Sequence, residues 1–191
     1  METRLMYRLE TKMLGRTESD RTLWFSMWFL ASIASFGLAF FPMFYRLIDS
    51  RNRHFRREVE LEKQIGAFLR KQGKEPIAAT SFHEMNAKAW AAAIFLIIPV
   101  FVVTYLLSMD LLMHEKHQDA VLAGAFPERL FMPQTIPIGK YALMAIFTLG
   151  VGIVYWLYKI VNMYNAHFKA HRELEKEMVK LMEEGRIVES V

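Results

Sequence analysis

Three long apolar stretches constrain the fold of this chain more than any other feature of its sequence. They cover residues 24–47, 89–112 and 141–161, and few charged residues interrupt them. A helix needs about 20 apolar residues to cross the hydrocarbon core of a bilayer. In lipid, only helices and closed barrels satisfy their own backbone hydrogen bonds, and the stretches lack the alternating pattern of barrel strands. The sequence therefore predicts an all-α integral membrane bundle of three transmembrane helices.

The composition limits what else the chain can contain. It has 191 residues, of which 53% are hydrophobic and 23% are charged, and it has no cysteine. Disulfides, thiolate metal sites and cysteine nucleophiles are thereby excluded. We find no phosphate-binding glycine loop and no nucleophile beside a base, so we predict no catalytic residues. The chain is expected to form one membrane domain, 1–191, with an N-terminal interfacial segment at 1–22.

The distribution of basic residues predicts an orientation. Lysine and arginine are concentrated between the first two stretches and in the C-terminal tail. The positive-inside rule places these segments in the cytoplasm. The N-terminus and the loop 113–139 would then lie outside. We expect the protein to reside in a prokaryotic cell membrane.

The segment that follows the third stretch resembles the one that follows the first. Asn52 aligns with Asn165, and His54 aligns with His167. This similarity predicts an internal repeat whose two copies leave the membrane in the same direction. The two histidines are expected to share one structural role, either a lipid headgroup contact or a bond across a helix pair.

Each copy continues as a predicted amphipathic cytoplasmic helix, over 48–73 and 162–185. Apolar residues recur there at spacings of three and four, which is typical of a helix with one buried face. Gly73 and Gly185 stand where such helices commonly end. We expect the two helices to continue spans one and three, to pair with each other and to offer a docking surface.

Two features of the apolar stretches bear on their packing. Ala31, Ser35 and Ala39 are spaced by four, which would let two helix backbones approach closely. Pro99 lies within the second stretch and predicts a kink. Tryptophan and tyrosine gather near the ends of the stretches, as in the aromatic belts at membrane interfaces.

One group of side chains suggests metal chemistry. Asp110, His114 and His117 follow the second stretch with spacings of four and three, so a continuing helix would place them on one face. A carboxylate with two imidazoles can bind a divalent metal such as zinc or copper. The alternative is a polar collar of exposed histidines where the helix meets water. No other cofactor is predicted.

Basic residues just inside the membrane predict contact with anionic lipid headgroups or with partner chains. They are Arg51, Arg53, Arg56, Arg57, Lys169 and Arg172. Nucleic-acid binding is not expected, because acidic residues are interleaved with these side chains and no aromatic platform accompanies them.

The exit of the third stretch has the sequence Tyr-Trp-Leu-Tyr-Lys at 155–159, followed by Asn-x-His-Phe at 165–168. It resembles small uncharacterised prokaryotic multi-span membrane proteins with aromatic-basic span exits, and this resemblance implies no activity. Three functions are open. The chain is expected to be a non-catalytic accessory subunit of a membrane complex. The alternatives are a metal-binding component of a membrane metalloenzyme and a homo-oligomeric channel or transporter.

Overall fold

The computed structural model describes residues 22–71, 73, 75, 82–125 and 135–183, and every regular element in these ranges is an α-helix. This confirms the all-α class. Three short helices alternate with three long ones. In chain order they are α1 (Phe25–Ala34), α2 (Phe40–Lys71), α3 (Ala87–Ala93), α4 (Ile97–Ala125), α5 (Ile138–Phe147) and α6 (Gly152–Glu183).

The first and third apolar stretches are each interrupted by a short turn. Between α1 and α2, Phe36 and Gly37 have φ angles of 51° and 91°. Between α5 and α6, Leu149 and Gly150 have nearly the same values, 51° and 93°. A left-handed backbone ends a helix, and glycine adopts it without steric cost. In each interruption, a glycine therefore allows the left-handed backbone that ends the helix.

These turns reverse the direction of the chain. The Trp28 ring of α1 lies 5.3 Å from Cζ of Arg46 in α2. The rings of Tyr141 in α5 and Tyr155 in α6 have centroids 6.1 Å apart. At 1.5 Å per residue, a continuous helix would separate these pairs by about 27 and 21 Å. α1 with α2, and α5 with α6, are therefore helical hairpins.

A third hairpin is formed by α3 and α4. Arg51 of α2 donates to the backbone oxygen of His83, before α3, at 2.9 Å, and to Oδ2 of Asp110, well inside α4, at 2.6 Å. The predicted bundle of three transmembrane helices is thus not confirmed. Within the described ranges, one helical segment, Ile98–Val121, is long and apolar enough to cross a membrane by its length and composition.

The three long helices run parallel to one another. Between α4 and α6, Trp156 Nε1 donates to Ser108 Oγ at 3.0 Å, and His171 Nε2 lies 2.7 Å from Gln118 Oε1 further along. The sequence separations of these pairs, 48 and 53 residues, are nearly equal, as parallel helices require. Apolar side chains of the three helices fill the core between them, including Met43, Leu47, Ile48, Leu107, Leu111, Ile160 and Val161.

Two asparagine side chains on long helices form hydrogen bonds with the backbone at the beginning of a neighbouring hairpin. Asn52 of α2 donates to the backbone oxygen of Met85 and accepts from its N–H, at 2.7 and 3.2 Å. Asn165 of α6 makes the same pair of bonds to Leu23, at 2.8 and 2.9 Å. These are the two asparagines that the predicted repeat aligns. The repeat itself stays a prediction.

The structure revises several details of the sequence prediction. α2 ends at Lys71 and Gly73 has a φ of 74°, so the predicted helix end is confirmed. Pro99 is the third residue of α4, where its missing N–H removes no intrahelical hydrogen bond, and the chain reverses before Pro99. Ser35 and Ala39 lie in a turn, so the predicted small-residue face is wrong. Gly185, and the N-terminal segment up to residue 21, lie outside the described residues.

Candidate metal centre

Four of the six histidines of the chain meet where the three long helices pack together. They are His54 of α2, His114 of α4, and His167 and His171 of α6, and we call them the histidine cluster. His114 is 7% exposed and the other three are fully buried. One ring nitrogen from each side chain lies within 4.8 Å of the corresponding nitrogens of the others. Four imidazoles from three helices therefore converge on one small volume.

The closest nitrogens in the cluster have a spacing that suits a shared metal ion. Nε2 of His54 lies 3.1 Å from Nε2 of His167. Two nitrogens bound to one tetrahedral ion at 2.0–2.1 Å are about 3.3 Å apart. Nε2 of His114 is buried and has no hydrogen-bond partner among the described residues. Such an atom is unfavourable in a protein interior unless something binds it.

Neighbouring side chains orient two of the imidazoles. His167 Nδ1 lies 2.7 Å from Glu115 Oε1, and His171 Nε2 lies 2.7 Å from Gln118 Oε1. Because these oxygens accept, the facing ring nitrogens carry the protons and donate. The opposite nitrogen of His167, Nε2, then turns its lone pair toward His54, whereas Nδ1 of His171 lies 3.3 Å from Glu58 Oε2. Outer hydrogen bonds of this kind hold metal-binding histidines in most protein sites.

The cluster lies in an acidic part of the interior. Four glutamates around it are buried, namely Glu58, Glu62, Glu115 and Glu175. Glu58 and Glu175 form, with His171, a second group of possible ligand atoms within 4.8 Å of one another. Buried carboxylates are costly without compensating positive charge. Arg57 Nη2, 3.8 Å from Glu175 Oε1, supplies part of that charge, and a bound cation would add to it.

Burial keeps His54 in its neutral form. Desolvation, followed by the neighbouring His171, His167 and His114 and by Arg57, holds the pKa of His54 well below its ordinary value. A neutral imidazole offers a lone pair, which is the form that binds metals.

The predicted metal ligands are only partly brought together. His114 joins the cluster, but Asp110 pairs with Arg51 at 2.6 Å, and His117 Nε2 lies 3.2 Å from Glu62 Oε1. The prediction that His114 and His167 lie on opposite sides of the membrane is also wrong, because their ring centroids are 5.0 Å apart. The prediction assumed that each apolar stretch forms one straight transmembrane helix, whereas the chain reverses direction at the hairpin turns.

For two of the other three histidines in the cluster, a signal was present in the sequence. His54 and His167 align in the predicted repeat, and a bond across the helix pair was one of the two roles expected for them. The structure confirms that bond. Their connection to His114 was missed, since the predicted topology placed His114 on the opposite side.

The six basic residues predicted to contact lipid or partners lie in different surroundings. Arg51 is 3% exposed, and its guanidinium is bound to Asp110 between the rings of Phe55 and Phe82. It is therefore not available to lipid headgroups, and that prediction is wrong for this residue. Arg57 is largely buried beside His54, and Arg172 is half-buried, whereas Arg53, Arg56 and Lys169 are exposed.

The comparisons with known proteins assign no family to the chain. No family model matches it, and neither the curated proteins nor the solved structures that were searched contain a match. Its function is therefore inferred from the geometry of the histidine cluster.

Proposed function

We propose that this chain is a metal-binding protein that holds one divalent transition-metal ion in the histidine cluster. The observation that carries this proposal is the convergence of four buried ring nitrogens within 4.8 Å of one another. The ligand set contains imidazoles and no thiolates, because the chain has no cysteine. Imidazole nitrogens suit zinc and copper, which are the ions that we expect.

The site would be closed and structural rather than catalytic. Catalytic zinc sites usually keep one position open for water or substrate, whereas structural sites are filled by four protein ligands. Here four imidazoles are available, and all four side chains are buried. An ion bound to all of them would connect α2, α4 and α6 at one point. This role agrees with the expectation of a non-catalytic subunit.

Metal binding would require one proton to move. Arg57 Nη2 lies 3.3 Å from His54 Nδ1. A guanidinium only donates, so in this arrangement His54 carries its proton on Nε2, facing His167. An ion bound at Nε2 would shift that proton to Nδ1. Arg57 would then turn toward Glu175, whose Oε1 is 3.8 Å from the same Nη2.

Metal analysis of the purified full-length chain tests this proposal. We expect about one zinc or copper ion per chain by elemental mass spectrometry, and a tetrahedral absorption spectrum after loading with Co²⁺. His114→Ala and His167→Ala should each lose the ion. The matched control is His83→Ala, because His83 is exposed and outside the cluster.

The wild-type protein alone can overturn the proposal. If helical protein, verified by circular dichroism, binds neither Zn²⁺, Cu²⁺ nor Co²⁺ in calorimetric titrations, then the cluster is not a metal site. The proposal would also be rejected if His114→Ala and His167→Ala bound metal with wild-type affinity, because the ion would then be held elsewhere.

A further inference from the structure

The most exposed large apolar side chains among the described residues lie at the three hairpin turns. Phe36, Phe95 and Leu149 are 98%, 81% and 95% exposed. We call these residues the tips. Apolar neighbours of the tips are exposed as well, namely Leu38, Leu96, Ile98, Ile146, Phe147 and Val151. Water-soluble surfaces rarely carry apolar groups at this density.

All three tips lie at the same end of the molecule. Each tip immediately precedes one of the long helices, and those helices run parallel. His54, His114 and His167 follow the tips of their hairpins by roughly 18 residues, which is about 27 Å of helix. Because the histidines are in contact with one another, the tips must extend to similar distances beyond them.

Aromatic side chains form a second level above the tips. Tyr45, Tyr105, Tyr155 and Tyr158 are all partly exposed, and they follow their tips by six to ten residues, or about 9–15 Å. Cationic groups accompany the aromatic rings. Lys159 Nζ lies 5.5 Å from the Tyr155 ring, and Arg46 Cζ lies 5.3 Å from the Trp28 ring.

These distances match one leaflet of a bilayer. Half of the hydrocarbon core is about 15 Å thick, and tyrosine, tryptophan and basic residues collect at its boundary with the headgroups. We propose that the three hairpins insert their tips into a single leaflet, so that each hairpin enters and leaves the membrane on the same side. Lipid acyl chains therefore surround the exposed apolar side chains at this end of the molecule.

An apolar cavity at the same end fits this environment. It is lined by side chains of all three hairpins, among them Phe36, Phe95, Val100 and Ile153. Since its lining is apolar, the cavity suits a lipid acyl chain better than water.

The long apolar segment in α4 does not require a complete crossing. Ile98–Val121 satisfies the length criterion, but His114, Glu115 and Gln118 lie within it and face the buried polar interior. The part without charged residues, 98–109, is about 18 Å long at 1.5 Å per residue. This is shorter than the roughly 30 Å of the hydrocarbon core and close to the roughly 15 Å of one leaflet.

Single-cysteine labelling tests the proposal directly, because the natural chain has no cysteine. Arg56→Cys, Lys116→Cys and Lys169→Cys place one exposed thiol on each long helix, at the level of the cluster. In sealed membrane vesicles, an impermeant maleimide should label all three from the same face. A three-span topology would instead place Lys116 on the face opposite to the other two. Labelling of Lys116→Cys from the opposite face only would overturn the proposal.

Depth measurements provide the second readout. Bimane attached at Phe36→Cys and Leu149→Cys should be quenched most strongly by lipids brominated near the acyl chain ends. The matched control, Tyr105→Cys, should be quenched best by bromines near the headgroup. If the tips were neither quenched by lipid nor reactive with aqueous maleimide, another protein would cover them. If they reacted with aqueous maleimide, they would be exposed to water. Either result rejects insertion into lipid, and neither depends on metal binding.

Discussion

At the residue scale, the buried ionisable side chains lie on the three long helices, and four histidines among them meet in the cluster. The sequence allowed His114 to be singled out, and it allowed His54 and His167 to be paired. Their meeting point could not be predicted, because it depends on the direction in which α4 leaves the apolar region. The burial of Arg51 was unpredictable for a related reason, since its partner Asp110 is distant in sequence.

Glu115 should act as a positioning residue for the metal. Its carboxylate accepts from His167 Nδ1 at 2.7 Å and both side chains are fully buried. Removing such an outer partner typically lowers metal affinity 10- to 100-fold. We expect Glu115→Gln to weaken Zn²⁺ binding by about this factor in a chelator competition, while the Co²⁺ spectrum keeps its tetrahedral form. Glu173→Gln, at an exposed position, should leave the affinity unchanged; an equal loss in both variants would contradict the assignment.

The ion pair between buried Arg51 and half-buried Asp110 should contribute more to stability than an exposed one. Arg51→Ala would leave Asp110 without its partner. Breaking a fully buried pair costs about 3 kcal/mol, and because Asp110 is 31% exposed we expect a smaller cost, about 2 kcal/mol. Arg56 and Glu84 form an exposed pair, with side chains 65% and 50% exposed, so Arg56→Ala should cost less than about 1 kcal/mol. Thermal unfolding in detergent compares the two variants. Equal destabilisation would mean that burial of Arg51 is unimportant.

At the scale of the elements, the sequence predicted the long helices better than the turns. The amphipathic pattern and Gly73 located the end of α2 within a few residues. The turns were missed because hydropathy measures the length of an apolar run and is insensitive to a reversal of the backbone inside it. Gly37 and Gly150 were the available signals, since each supplies the left-handed conformation that ends a helix.

The hairpin turns should depend on their glycines. Gly37 and Gly150 have φ angles of 91° and 93°, which other residues adopt at a cost of roughly 1–2 kcal/mol. We expect Gly37→Ala and Gly150→Ala to lower the free energy of unfolding by about this amount. Gly150→Ala should cost more, because its new Cβ would lie 3.3 Å from Phe101 Cζ.

Gly139→Ala is the control for this series. Gly139 lies in α5 with an ordinary φ, and a Cβ there would meet nothing within 4 Å. Alanine favours a helix over glycine by up to about 1 kcal/mol, so this change should be neutral or stabilising. If all three alanine variants behaved alike in thermal unfolding, the turn conformation would not be the cause.

At the scale of the whole molecule, the cluster joins the long helices of all three hairpins. An ion bound only by the folded protein adds stability according to its concentration, about 2.7 kcal/mol at one hundred times the Kd. We therefore expect Zn²⁺ to raise the unfolding temperature of the wild type and of His83→Ala. His114→Ala should show no shift. A zinc-dependent shift in that variant would place the stabilising ion outside the cluster.

The asparagine bonds impose an order on assembly. The residue that anchors Leu23 is Asn165, 142 positions further along the chain. At 5–20 residues per second, a ribosome needs roughly 7–28 s to synthesise that interval. The first hairpin can therefore form early, but Leu23 at its beginning is bonded only after the last helix has been made.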